Sequence, residues 1–599
     1  MESNGGSVVD GFSLDGLYQQ LKEVDSMDQR VAEMIRTTSW RQSRLVKELK
    51  RPGHEGYDSW PSQDDLEEQL EMLSSLKCHL GDFSLSLRKT ANILSRPKLR
   101  PLTILDMPDE ILIDIFGYVK GREPPDRLLD SSPMGQCEVK NLRLTCRRFC
   151  NLSSHLLIRL VRVELNSSSL LRLEEISRHP IIRKGVRGVR VLLHFYDSGL
   201  ANDIWTFADH NAGQLREETE LIERSAPSTL LNSSKEMILE AAKKVRPILE
   251  SWEGFVRGTP DDPACENDLR YRMLLRRAHE EYRRRFADQE RLREDGSFIR
   301  AVAAAIARMP TAKRLELRDE DFNSTMRRAG YFAQADDNEV LVQDMLLPIT
   351  WEEARLHGLG QPPAEVLVKL PGAIHKAGAL LTGLDIEVSP PEDYAVPAPS
   401  EEDCHDLTAA VQKLKTFNFR TRCLKGPSFW PAREPAEVED LGRFLTALLD
   451  TESMEDVRLS FNSLWDSESP PLFSLGYTIT LRTWQNLRFL SLDAVPIHLA
   501  ELERLINQLD RPKIVRIDGM HLLSGSWAEG LDILRRKFTN YSSFNNPSGA
   551  ECEVLSDEEK EAIFARPPTD RWATTRAERY LLGYIDQNPF RDRTLSNAE

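Results

Sequence analysis

The residue types that do chemistry are all present in this 599-residue chain, but their spacing builds no reaction centre. None of the 12 His belongs to an H-E-x-x-H metal pair. His194 and His521 flank apolar runs, LLHFYD and DGMHLL, and read as packed strand residues rather than bases. No G-x-x-x-x-G-K-[ST] phosphate loop, G-x-G-x-x-G turn or G-x-S-x-G elbow occurs. The glycines of GLGQPP (358–363) precede prolines, where a phosphate-binding helix would have to begin. Glu401 and Glu402 open a helix, whose dipole favours negative charge there. The 8 Cys, at 78, 137, 146, 150, 265, 404, 423 and 552, form no C-x-x-C pair. Cys146 and Cys150 sit one helical turn apart, but no second Cys or His pair lies near them in sequence. Zinc is therefore disfavoured, and both read as small buried residues. Such usage suits a reducing compartment, cytoplasm or nucleus. The expectation is a non-catalytic chain with no cofactor and no metal.

The residues that stand out are apolar, in the stretch 102–163. Pro108 suits the first turn of a helix. Asp109 and Glu110 follow it, where negative charge complements the dipole, and Asp106 lies close enough to cap. Ile111, Leu112, Ile115, Phe116 and Val119 then recur at helical spacing and make one broad apolar face. Gly121 and Pro124–Pro125 end that helix. A second helix, about 138–150, places Val139, Leu142, Cys146 and Phe149 on one side. A third, from about Ser154, offers Leu156, Leu157, Leu160 and Val161. Three short helices make too small a core to bury so much apolar area. The remainder must be covered by a partner or by the next domain.

This stretch resembles an F-box. The residues that carry the likeness are Met107-Pro108-Asp109-Glu110, Ile111-Leu112, Ile115-Phe116 and Cys146-Arg147-Arg148-Phe149. Met107 stands where the family usually has Leu, and a polar, Pro-rich insertion at 122–136 departs from its compact form. The resemblance implies docking on the Skp adaptor of a cullin-RING ubiquitin ligase of the SCF type. It implies Met107, Pro108, Ile111, Leu112, Ile115, Phe116, Cys146 and Phe149 as the docking residues. The segments that follow an F-box usually select a protein substrate, whose identity the sequence does not give.

Two kinds of element flank this module. Before it, Leu66, Leu73, Leu80, Leu87 and Leu94 recur every seven residues, and Leu70, Leu76 and Phe83 widen the stripe. Leu17, Leu21, Val24, Val31 and Ile35 sketch a helix upstream, with a break at 51–63. An intramolecular helical hairpin is favoured over a coiled-coil homodimer. RPKLR (96–100) links the arm to the module. After it, strand-like runs begin near Val186, Lys313, Leu381, Leu414, Met454, Asn486 and Lys513. Helical patterns start at Phe298, Cys404, Val438, Ile497 and Trp527. Helix then Leu-x-x-Leu-x-Leu-like strand, repeated with drifting spacing, is the pattern of an irregular leucine-rich-repeat-like solenoid. NLRFLSLDAV (486–495) is its best copy. A plain α/β domain with a parallel sheet would have nearly the same element order. This part of the chain is similar to that of large fungal F-box proteins, on the ISRHPIIRKGVR run as well.

The expected architecture is therefore multidomain α and α/β: a helical hairpin or coiled-coil arm (1–100), a three-helix F-box (101–165), an irregular repeat domain (166–545) and a C-terminal cap (546–599). Insertions stand near 261–295 and 358–375. The first is Arg-dense with compensating acids and reads as a solvated helix. Tyr271 and Tyr282 could stack on RNA bases, but a net charge of −16 argues against a general nucleic-acid binder. The second insertion reads as a loop excursion. No apolar run is long enough to span a bilayer. A non-enzymatic scaffold assembling through the arm is the alternative function.

Overall fold

The computed structural model describes residues 14–49, 63–95, 103–120, 136–225, 232–261, 265–320, 338–390, 398–422, 435–461, 473–509, 514–538, 542–564 and 574–591. The expected link at 96–100, and all but the last residue of both the break at 51–63 and the insertion at 122–136, lie outside them. The chain divides into two compact units, Met1–Ile115 and Phe116–Glu599, with the boundary inside helix Asp109–Lys120.

In the first unit, helices Leu14–Leu49 and Gln63–Ser95 pack on one another. Asp25 pairs with Arg88 at 3.3 Å and Gln42 donates to Glu67 at 3.2 Å, which fixes an antiparallel hairpin. Leu17, Val24, Leu87 and Ala91 form its seam. Leu76 and Phe83, expected to widen the buried stripe, are instead exposed, together with Met27, Met34 and Met72. Two helices bury only one narrow seam each, so residues three positions further round stay outside.

The second unit is mixed α/β. Its strands are β1 (Leu160–Glu164), β2 (Gly188–Leu192), β3 (Arg314–Arg318), β4 (Gly383–Val388), β5 (Thr416–Thr421), β6 (Asp456–Ser460), β7 (Phe489–Asp493), β8 (Pro496–His498), β9 (Ile514–Asp518), β10 (His521–Ser524), β11 (Ser543–Asn545) and β12 (Ser548–Gly549). One nine-stranded sheet runs β1-β2-β3-β4-β5-β6-β7-β9-β11 and is parallel throughout. A small parallel sheet joins β8, β10 and β12. In both sheets spatial order follows chain order, so there is no point where the winding reverses, as there is in a doubly wound sheet.

Helices Ser167–Arg178, Ser297–Arg308, Glu365–Lys376, Glu401–Val411, Pro435–Leu449, Gly476–Thr480, Leu499–Gln508, Trp527–Arg535 and Arg576–Leu581 each touch the next and form one layer. The strand residues aimed at that layer are apolar: Val161, Val189, Leu315, Leu384, Phe417, Val457, Leu490 and Val515 all stand in one register row and are buried. The last units share a backbone detail. Ala494, Gly519 and Asn546 follow β7, β9 and β11 directly, and each has a positive φ, of 51°, 57° and 45°. At Gly519 this is the conformation that lacks a Cβ penalty.

Four expectations need correction. The single second helix (about 138–150) is two, Gln136–Thr145 and Arg147–Ser153. Cys146 between them is extended, and its thiol accepts the Phe149 N–H, so it caps the second piece. The third helix is a short turn, Ser154–Leu156, followed by strand β1, whose Leu-Val-Arg-Val-Glu alternation fits an edge strand better than a helix. The 261–295 segment does contain a helix, Glu266–Glu294, but it is not a solvated insertion. Leu275, Ala278, Tyr282 and Leu292 lie at helical spacing and are buried in the main core. The 358–375 segment is no loop excursion: helix Glu365–Lys376 buries Val366, Leu367, Leu370 and Ile374 on one face.

Candidate docking surface

The turn Ile104–Asp106 precedes the apolar helix, and Asp106 accepts the Thr103 N–H and hydroxyl, both at 2.8 Å. Asp106 thus closes its own turn. Met107 is extended and half-buried. Pro108 is exposed, and its carbonyl accepts the Leu112 N–H at 3.1 Å, which starts the helix. Asp109 and Glu110 occupy the first turn.

Along the helix, Leu112 and Phe116 are wholly buried, one turn apart. Ile115 is half-buried. Ile111 is 46% exposed, and Ile113, Tyr118 and Val119 are exposed as well. In the second unit Phe116 meets Phe149 edge-on at 4.9 Å, and Phe149 is buried with it. Half-buried Cys146 caps the helix that carries Phe149, and Lys120 donates to the Leu156 carbonyl at 2.8 Å. In the first unit Ile104 and Leu105 are exposed; in the second, Leu144 is 85% exposed.

The eight docking residues expected from sequence therefore divide by position. Leu112, Phe116 and Phe149 are core. Met107, Ile115 and Cys146 are intermediate. Pro108 and Ile111 face outward. Ile104, Leu105, Ile113, Tyr118 and Leu144 carry no sequence signal of their own, because a helical-period pattern follows the main stripe and passes over apolar residues beside it.

A polar row lies on the strand face turned away from the helix layer, buried at Arg190, Glu316 and Asp385 and exposed only at Arg516. In register it reads Arg190, Glu316, Asp385, Asn418, Arg458, Ser491 and Arg516. Arg190 donates to Glu316 at 2.7 Å, and Asn418 donates to Asp385 at 3.2 Å. Burial, and then the neighbouring Glu316 charge, push the Asp385 carboxyl up to about 6. Burial likewise pushes Asp319, one residue past β3, up to about 7, although the Ser389 N–H donates to it. Further along, Arg458 holds Asp456 through two hydrogen bonds. Arg458 and Arg516 lie over the Phe489 ring, at 4.6 and 5.2 Å from its centroid.

Tyr282, considered for base stacking, is buried, and its hydroxyl oxygen accepts the Asp197 N–H at 2.8 Å. His521 lies on β10 with Nδ1 3.0 Å from the Ser548 hydroxyl, its imidazole lowered in pKa by burial. Among the described residues no group of three or more His, Cys, Asp or Glu could hold a metal ion. No helix among them is long and apolar enough to cross a membrane. Comparison with family models, curated proteins and solved structures finds no match to this chain.

Proposed function

We propose that the chain is the substrate-recognition subunit of an SCF-type ubiquitin ligase. The helix Asp109–Lys120 docks on a Skp-type adaptor, and the parallel-sheet unit holds a protein substrate. One observation carries this reading: the helix turns Leu112 and Phe116 inward yet leaves Ile111, Ile113, Tyr118 and Val119 in solvent. Four exposed apolar side chains within one twelve-residue helix support an interaction site. The sequential parallel strand order, the run of helices packed in chain order and the recurring left-handed residue after β7, β9 and β11 support the leucine-rich-repeat reading of the second unit. Its contribution to the reaction is proximity, raising the concentration of the target near the conjugating enzyme.

The test is affinity purification of the full chain co-expressed with a Skp-type adaptor and a cullin. Both are expected in the eluate with the wild type and neither with Ile111→Asp plus Ile113→Asp. Retention of the adaptor by that variant ends the docking assignment. The scaffold reading is favoured by a separate observation, the exposed Met27, Met34, Met72, Leu76 and Phe83 on the hairpin. A concentration-dependent dimer that lacks adaptor binding would select it.

A further inference from the structure

We infer that the N-terminal edge of the parallel sheet, across β1, β2 and β3, binds a short acidic segment of a partner protein. The inference starts from register. The residue just before each strand is held in line by the backbone ladder. Arg187 N–H donates to Arg159 O at 2.7 Å, Lys313 to Arg187 at 3.1 Å, Thr382 to Lys313 at 2.8 Å, and Lys415 to Thr382 at 2.9 Å. Glu455 then donates to Lys415 at 2.7 Å, and Arg488 to Glu455 at 2.8 Å. Five of these seven residues, Arg159, Arg187, Lys313, Lys415 and Arg488, are cations.

The two ends of the row differ. Lys415 is neutralised by Glu455, whose carboxylate it meets at 2.7 Å. Arg187 and Lys313 are exposed, and neither side chain pairs with an acid among the described residues. Lys184, also exposed, joins them. The Thr311 hydroxyl bonds the carbonyls of Lys184 and Val186, at 2.9 and 2.7 Å, and so pins the 184–187 turn against the approach to Lys313. On the other flank Gly185 lies against the His155 backbone, so close that a Cβ there would stand 1.5 Å from the carbonyl oxygen. Lys120 is tied to Leu156, one residue on. The His155 imidazole is lowered in pKa, first by burial and then by the charges of Lys120 and Arg187. Lys120, Arg159, Lys184, Arg187 and Lys313 thus gather in a chain of net charge −16.

Cations after a helix often serve its C-terminal dipole, but that effect fades within a turn. Lys313 lies further than that from Arg308, where the preceding helix ends. The size of the cluster selects the ligand. Three parallel strands at about 4.8 Å spacing give an edge roughly 10 Å long, inside one Debye length at moderate salt. A long polyanion would also meet the field of the acidic remainder. A short extended peptide, which presents alternate carboxylates about 7 Å apart on one side, fits the edge without that penalty.

Fluorescence anisotropy with labelled oligoglutamate, titrated with the full chain, tests the site. Oligoglutamine and an oligothymidylate of equal charge serve as comparisons. Oligoglutamate is expected to bind, and Arg187→Glu plus Lys313→Glu to weaken it by about tenfold or more. Lys184→Glu alone is expected to weaken it less, and Lys22→Glu plus Lys89→Glu on the hairpin to leave it unchanged. Adaptor co-purification should survive every one of these changes, so failure here is separate from failure of the docking assignment. Absence of oligoglutamate binding, binding indifferent to the Arg187 and Lys313 changes, or tighter binding of oligothymidylate would each overturn the inference.

Discussion

The guanidinium of Arg190 and the carboxylate of Glu316 meet at 2.7 Å on adjacent strands, with side chains 2% and 0% exposed. Both charges are out of water, so each relies heavily on the other for its solvation, and Arg318 approaches the same carboxylate at 3.8 Å. Removing one partner of such a pair typically costs about 3–5 kcal/mol, whereas replacing both by apolar residues of similar volume is often neutral. Glu316→Ala should therefore lower the denaturant midpoint strongly, and Arg190→Met plus Glu316→Leu should recover most of the loss. If the double replacement is no better than the single, the pair does more than solvate itself.

A second prediction concerns pH. Asp319, raised to about 7, and Asp385, raised to about 6, hold their protons in the folded state at pH values where the unfolded chain has lost them. The folded state then binds more protons than the unfolded one, and stability falls as pH rises through the window from about 4 to about 7. Asp319→Asn keeps an acceptor for the Ser389 N–H and removes the charge. It should flatten that slope and raise the melting temperature most above neutrality, with an upper bound of about 4 kcal/mol. A slope unchanged from wild type would show that Asp319 is ionised throughout.

The left-handed residue after β7 gives a third. Ala494, with φ 51°, adopts a conformation that costs an L-residue roughly 1–2 kcal/mol. Glycine relieves this strain but adds freedom to the unfolded chain. Ala494→Gly is expected to stabilise by about 0.5–1 kcal/mol. The same exchange reversed, Gly519→Ala, is expected to destabilise by a similar amount, since a Cβ there meets nothing nearer than 3.6 Å and only the backbone pays. Chemical denaturation of both variants checks the pair.

On the docking proposal, the buried and exposed sides of helix Asp109–Lys120 should separate folding from adaptor capture. Leu112→Ala should cost about 2–5 kcal/mol, because Leu112 is wholly buried. Ile111→Asp plus Ile113→Asp should leave thermal stability nearly unchanged while abolishing adaptor capture. Loss of melting temperature in the aspartate variant would place those two side chains in the fold rather than on a docking face.

Much of the second unit was legible in the sequence because its apolar rows are regular. The runs near Lys313, Leu381, Leu414, Met454, Asn486 and Lys513 contain β3, β4, β5, β6, β7 and β9. Residues β8, β10, β11 and β12 span are too few for a period to register. β1 was hidden because Leu156, Leu157, Leu160 and Val161 also fit a helical spacing. The face of Glu266–Glu294 that packs in the core was masked by its arginines, one of which, Arg272, is itself buried against Asp268 at 3.0 Å. Leu112 and Ile111 are adjacent and equally apolar, so composition alone could not tell the inward side chain from the outward one. The row of cations before the strands was open to inspection, since Arg187, Lys313, Lys415 and Arg488 each stand one residue ahead of a strand. Only the ladder makes them a line.

Because every strand of the large sheet pairs with those that come before and after it in that sheet, a strand emerging from the ribosome finds the earlier of its partners already made, even across the 126 residues between Arg190 and Glu316. Each new strand finds its docking edge already built, and the structure can grow by accretion from β1 onward. The same connectivity leaves the far end exposed to unzipping: loss of β11 uncovers β9, without disturbing the pairing of β2 with β3.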